Sequence, residues 1–121
     1  MSQGLVELIL VDGQSIIADR RRRLRGGEAV DAGGVERDPC DSDARRFCAV
    51  GAFIRAAFDL VGDREAAQRL GWEAAARVAE AANLRCVDED EPGWALAKLS
   101  DSRGQAAVLR AVDAALQTYR A

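Results

Sequence analysis

Histidine is absent from the 121 residues. That removes the commonest general base near neutral pH, and with it Ser-His-Asp and Cys-His catalysis and every histidine-containing zinc site. A metal would have to be held by carboxylates, or by thiolates at spacings that Cys40, Cys48 and Cys86 do not show. Lysine occurs once, as Lys98, against abundant arginine and alanine, the composition expected of a high-GC bacterial genome. No run approaches the ~18 uncharged apolar residues of a membrane span. The start, "MSQGLVELILVDG", has no basic region ahead of its apolar residues, unlike a signal peptide. Three thiols cannot all pair within the chain, so reduced cysteines and a cytoplasmic location are expected. The net charge of −3 gives no overall attraction to nucleic acid or anionic lipid.

What is present is globular in character. Hydrophobic residues make up 49% and charged residues 31%, enough for one domain spanning residues 1–121 with a core of its own. Residues 3–24 admit two readings. Leu5, Leu8, Ile9, Asp12, Ile16 and Asp19 fit one helical face, while Asp12-Gly13 between two apolar runs also fits a β-hairpin. Helix is favoured, ending in the arginine run 20–25 with Gly26-Gly27 to stop it. Residues 26–42 are loop-like, with Val30 and Val35 placed for a short hairpin around Asp31–Gly34.

The clearest element is 43–61, "DARRFCAVGAFIRAAFDLV", capped by Asp41 or Ser42. Phe47, Val50, Ile54, Phe58 and Val61 form its stripe, and Cys48, Gly51 and the alanines make it apolar nearly all round. Such a helix belongs at the centre of a bundle, and Gly51 would let another helix approach. Gly62 ends it and Asp63 caps the next, whose face is Ala67, Leu70, Ala74, Val78 and Ala81. Residues 86–93 read as an acidic loop, and 94–99 as one helical turn or an extended piece. Ser102 and Gln105 have capping-box spacing for a last helix with a Leu109, Val112, Leu116 and Tyr119 face. The predicted class is all-α, a compact bundle of about four helices, with at most a short β-hairpin at the N-terminus or in the loop.

Two stretches carry a resemblance. "ARRFCAVGAFIRAA" (residues 44–57) and "LSDSRGQAAVLRAVDAAL" (residues 99–116) are similar to a family of small bacterial domains of unknown function. That family has an A-x-x-x-C-A-x-G-A-x-x-x-A helix and a closing W-N-D turn before a Val- and Leu-rich helix. Ala44, Cys48, Ala49, Gly51, Ala52 and Ala56 match the first motif. In the second only Asp101 agrees, with Leu99 and Ser100 in place of Trp and Asn. The similarity covers residues 42–60 and 95–118, not the loop 26–40. It implies a small helical domain and brings no activity with it.

Candidate ligand or partner contacts are few. Cys48, inside the apolar run, reads as packing. Cys40 follows Pro39 ahead of the expected helix start, where Arg45 and Arg46 would favour its thiolate and Asp38, Asp41 and Asp43 would oppose it. Trp94 is expected in the core, and Trp72, off the main stripe, is either a core residue or a partner contact. Asp101 is the polar survivor of the closing turn. "RRRRLR" (20–25) has no aromatic interleaved for base stacking, and "DEDE" (88–91) lacks the ligand pattern of a calcium loop. The best reading is a small binding or interaction domain without catalytic activity or cofactor. Its partner would be a second copy, another protein, or a small ligand between helices. Nucleic acid is disfavoured, and no membrane is implied. The alternatives are a nucleic-acid-associated regulator using the 20–25 cluster, and an enzyme built on Cys40 or on Asp41, Asp43 and Asp101.

Overall fold

Asp12-Gly13 does not turn the chain. The computed structural model, which describes residues 2–84 and 93–120, carries a single helix, α1 (Ser2–Ala18), through it. Its inward stripe is Val6, Ile9, Leu10, Gly13, Ile16 and Ile17, the i, i+3, i+4 pattern of a core-facing helix. The stripe is rotated from the expected face: Ile9 and Ile16 are buried and Leu5 packs against the core, but Leu8, Asp12 and Asp19 do not belong to it. Leu8 is 52% exposed and Asp12 faces solvent, because a stripe carrying aspartates would bury charge without a partner. Gly13 occupies the middle of the true stripe, directly under the ring of Phe53.

α1 also stops short of the arginines. The Asp19 carboxylate accepts a 3.0 Å hydrogen bond from the Arg21 N–H and opens a separate 3-10 turn, Arg20–Arg22. Gly26 and Gly27 therefore lie out in the following loop and do not end the helix.

That loop folds back on itself. Strand β1 (Ala29–Val30) pairs antiparallel with β2 (Arg46–Phe47), Ala29 opposite Phe47 and Val30 opposite Arg46. The small hairpin expected around Asp31–Gly34 is there in reduced form. Val30 bridges Glu36, and the Asp31 carboxylate accepts from the N–H groups of Gly33 and Val35, both at 2.9 Å. Arg37 donates to the other oxygen of the same carboxylate at 3.0 Å.

The central helix, α2, spans Ala49–Val61 and starts later than the sequence suggested. Neither Asp41 nor Ser42 caps it. Asp41 Oδ1 accepts from the Asp43 N–H and Asp38 Oδ1 from the Cys40 N–H, each at 2.8 Å, so these carboxylates close turns. The cap is Cys48, whose sulfur accepts from the Gly51 N–H at 3.3 Å. Its first turns are buried all round, from Ala49 to Ile54, as an apolar helix at the centre of a bundle must be. Gly62 ends α2 in the left-handed region (φ 71°), and Asp63 caps α3 (Arg64–Ala81) through the Ala66 N–H, both as expected.

Helix α3 runs unbroken through Gly71-Trp72, which excludes a turn there. Gly71 is where α2 comes closest: a methyl on it would lie 2.8 Å from the backbone N and Cα of Ile54. At Gly51, by contrast, the close neighbour is the Glu28 backbone, not the helix expected there. Asn83, in the left-handed region, and the Leu84 N–H to Ala79 carbonyl bond at 2.8 Å finish α3.

Helix α4 (Gly93–Arg103) is longer than the turn foreseen at 94–99 and absorbs Ser102, so no capping box opens the last helix. The break falls at Gly104 (φ 81°), followed by α5 (Gln105–Arg120). Gln105 instead donates to the Ile17 carbonyl at 2.5 Å, tying α5 to the end of α1, and Gln14 donates to Asp113 at 2.7 Å higher up the same interface. Among the described residues the result is five α-helices with one two-stranded sheet, α2 in contact with α1, α3 and α4, and α5 against α1, α3 and α4. Among the described residues the buried set is wholly apolar, and no helix is long and apolar enough to cross a membrane. Cys86 and the acidic run 88–91 lie outside the described residues.

Candidate functional site, a tryptophan-lined pocket

Of the six residues singled out in the sequence, the structure brings two together. Trp72 comes from the middle of α3 and Trp94 from the first turn of α4, with ring centroids 5.2 Å apart and planes tilted by 46°. That is a favourable aromatic geometry. Gly93 makes it possible, since a methyl there would lie 2.7 Å from Trp72 Cε3 and 3.3 Å from the Ala75 Cβ. Trp94 is not in the core as expected. Trp72 is wedged between Gly93 and the core and is partly buried, whereas Trp94 is 44% exposed.

The two rings form one side of a cavity of about 240 Å³. Val50 and Ala97 add apolar wall, and Gly27, Glu28 and Cys48 close the end at the start of α2. Among the described residues that line it, Glu28 carries the one ionisable carboxyl. Burial pushes that carboxyl above the ordinary glutamate range; the nearby charges of Asp38 and Glu36 add to the rise, and a hydrogen bond with Gln68 offsets part of it. Neither Glu28 nor Gly27 is legible as a site residue in the sequence, because both lie in a loop with no periodicity; the Glu28 carbonyl accepts from the Cys48 N–H at 3.1 Å, which holds the loop at the start of α2. Cys48 is buried, as foreseen, but it also caps α2 and faces this pocket.

The other candidates are scattered. Arg45 borders a separate basic cavity with Arg21, Arg22 and Arg55, and its guanidinium donates to the Ser42 carbonyl at 2.7 Å. Arg46 sits on β2. Asp101 lies on α4 with its side chain outside the described part of the structure. No group of three or more carboxylates and thiols fit to hold a metal occurs among the described residues.

Cys40 does not stand where its thiolate would be stabilised. It is 4% exposed and separated from the start of α2, and its thiol is pushed up to about 11. Burial is the main cause, with the charge of Asp38 and a hydrogen bond to it next; Arg64 and Arg55 offset only part. Two results are expected. In the folded protein Cys40 resists iodoacetamide at about pH 8, where an exposed thiol reacts, as read by mass spectrometry of the alkylated peptides. The folded chain also keeps a proton that the unfolded chain releases near its ordinary value of 9.0, so stability is full below about pH 9 and declines as the pH rises towards about 11. Rapid labelling of native Cys40 would show that the loop 38–43 opens.

Comparison with known proteins agrees with this picture at the level of family. A family model described as "Family of unknown function (DUF6197)" matches residues 1–118. It takes in the loop 26–40, where the motif comparison found nothing, and so the wall contributed by Gly27 and Glu28. No curated protein matches the chain, and no solved structure does. With nearly its whole length matched, the chain belongs to this family of unknown function.

Proposed function

We propose that the chain is a binding domain whose pocket takes one small, mainly apolar group between Trp72, Trp94 and the start of α2. The observation that carries this is the meeting of the two tryptophans over a cavity of about 240 Å³. Ligand pockets are concave and mostly apolar, with a few polar groups that fix orientation, and drug-sized ones start near ~300 Å³. This cavity is sized for a single ring or a short branched chain. Glu28 supplies the orienting polar group and favours a ligand with a hydrogen-bond donor at one end. The reading is of binding without catalysis, and it keeps the bacterial, cytoplasmic setting inferred from composition.

The chain's two tryptophans both line the pocket, so intrinsic fluorescence reports its occupancy without a label. Titration with 1-anilinonaphthalene-8-sulfonate and with small aromatic amines is expected to shift Trp emission saturably. Ala97→Leu, which fills the cavity from α4, is expected to weaken that response by roughly tenfold or more. An unsaturable response, or one equal in Ala97→Leu, would show that the tryptophans only pack. A concentration-dependent shift without ligand, matched by a doubled mass in sedimentation, would assign them to self-association instead.

A further inference from the structure

The arginine run is divided by the fold. Arg21 pairs with Asp19 at 3.4 Å, and the Arg22 guanidinium lies over the ring of Phe47 at 5.6 Å from its centroid. Arg20, Arg23 and Arg25 turn to the other side, where with Arg103 they border a cavity of about 520 Å³ at the junction of α4 and α5. None of these four guanidinium groups forms an ion pair among the described residues. Among the described residues, no carboxylate lines the cavity.

The cavity is also built. Arg23 is half-buried, and its Nη1 donates to Gln105 Oε1 at 3.4 Å, while the Gln105 amide nitrogen is anchored on the Ile17 carbonyl. Gly104 permits this on two counts: it takes φ 81°, and a methyl on it would lie 2.7 Å from Arg23 Nη2. Like charges gathered without a counter-charge repel one another, and a bound anion turns that repulsion into attraction. Guanidinium forks match phosphate oxygens two at a time. The first residues of α5, Gln105 and Ala106, line the same space.

We propose that this cavity binds a small phosphate-bearing ligand, a phosphomonoester or diphosphate, with Arg20, Arg23, Arg25 and Arg103 as its phosphate ligands. The site is separate from the tryptophan pocket and stands or falls independently of it. A nucleic-acid backbone is the less favoured occupant. The charges converge on a concavity, Arg21 and Arg22 are engaged elsewhere, no aromatic lines the cavity among the described residues, and the chain carries a net charge of −3.

Calorimetric titration of the intact chain with inorganic pyrophosphate tests this, at about 50 mM salt so that screening does not hide the interaction. One pyrophosphate per chain is expected. Arg25→Gln and Arg103→Gln, both at exposed positions, should each weaken it by roughly tenfold, and Arg23→Gln by more. Arg21→Gln should leave it unchanged. An absence of saturable heat would overturn the site. So would equal weakening by Arg21→Gln, which would mean diffuse attraction. Tighter binding of a single-stranded oligonucleotide, with Arg21 sharing in it, would replace the pocket by a backbone-tracking surface.

Discussion

Phe53→Ala is expected to destabilise the fold by about 4 kcal/mol, a large part of the roughly 5–15 kcal/mol that holds a domain of this size. Phe53 is wholly buried on the central helix and reaches across to α1, where its ring covers Gly13. The loss combines transfer of the ring to solvent in the unfolded chain with a cavity that rigid helices on both sides cannot collapse. Gly13→Ala taken alone is expected to cost about 2 kcal/mol. The added methyl would sit 2.7 Å from Phe53 Cε1, and a fully buried ring has no room to retreat. In the Phe53→Ala background the sign reverses. The obstacle is gone, and alanine is better than glycine in a helix interior by about 1 kcal/mol. The double variant should therefore be more stable than Phe53→Ala, a coupling of about 3 kcal/mol in a four-member cycle of urea unfolding. Additive effects would mean that the ring does not lie over Gly13.

This pair also shows what the sequence could and could not convey. The sequence favours a helix over residues 3–24 and places Ile9 and Ile16 correctly, but its stripe is rotated, because Gly13 adds nothing to an apolar pattern although it is the position the core requires. Local chemistry was legible: Gly62 and Asp63 divide α2 from α3 where expected, and the Val112 and Leu116 face of α5 is buried. The start of α2 was misread because Asp38 and Asp41 have side chains that cap helices and close turns equally well. Here they close turns, and Cys48 caps instead. The pairing of Ala29–Val30 with Arg46–Phe47 joins segments too short to show alternation. The site suffered for the same reason. Trp72 and Trp94 stood out as single residues, but their meeting depends on how α4 lands on α3. The glutamate beside them belongs to a loop placed by that two-residue sheet and by the contact of its backbone with the start of α2.

Gly51→Ala is expected to be among the most damaging single changes in the chain, at about 3 kcal/mol or more. Gly51 sits in the first turn of α2, where the Glu28 backbone crosses so closely that an added methyl would overlap its carbonyl oxygen and lie 2.9 Å from its carbonyl carbon. The case differs from Gly13 in one decisive respect. The obstacle is main chain, so truncating a neighbouring side chain cannot relieve it, and the gain in helix propensity of about 1 kcal/mol is too small to compensate. The same Glu28 carbonyl accepts the Cys48 N–H at 3.1 Å. Moving it aside would break that bond, shift the β1 segment off α2, and withdraw Gly27 and Glu28 from the tryptophan pocket. Two readouts should therefore fall together: the urea midpoint, and the saturable fluorescence response in whatever fraction remains folded. Glu28→Ala removes the carboxylate and keeps the carbonyl. It should retain most of the stability, because the carboxyl is held partly desolvated at a cost. A Gly51→Ala protein as stable as the parent would mean that the loop 24–47 does not rest on α2, and the pocket would lose its floor.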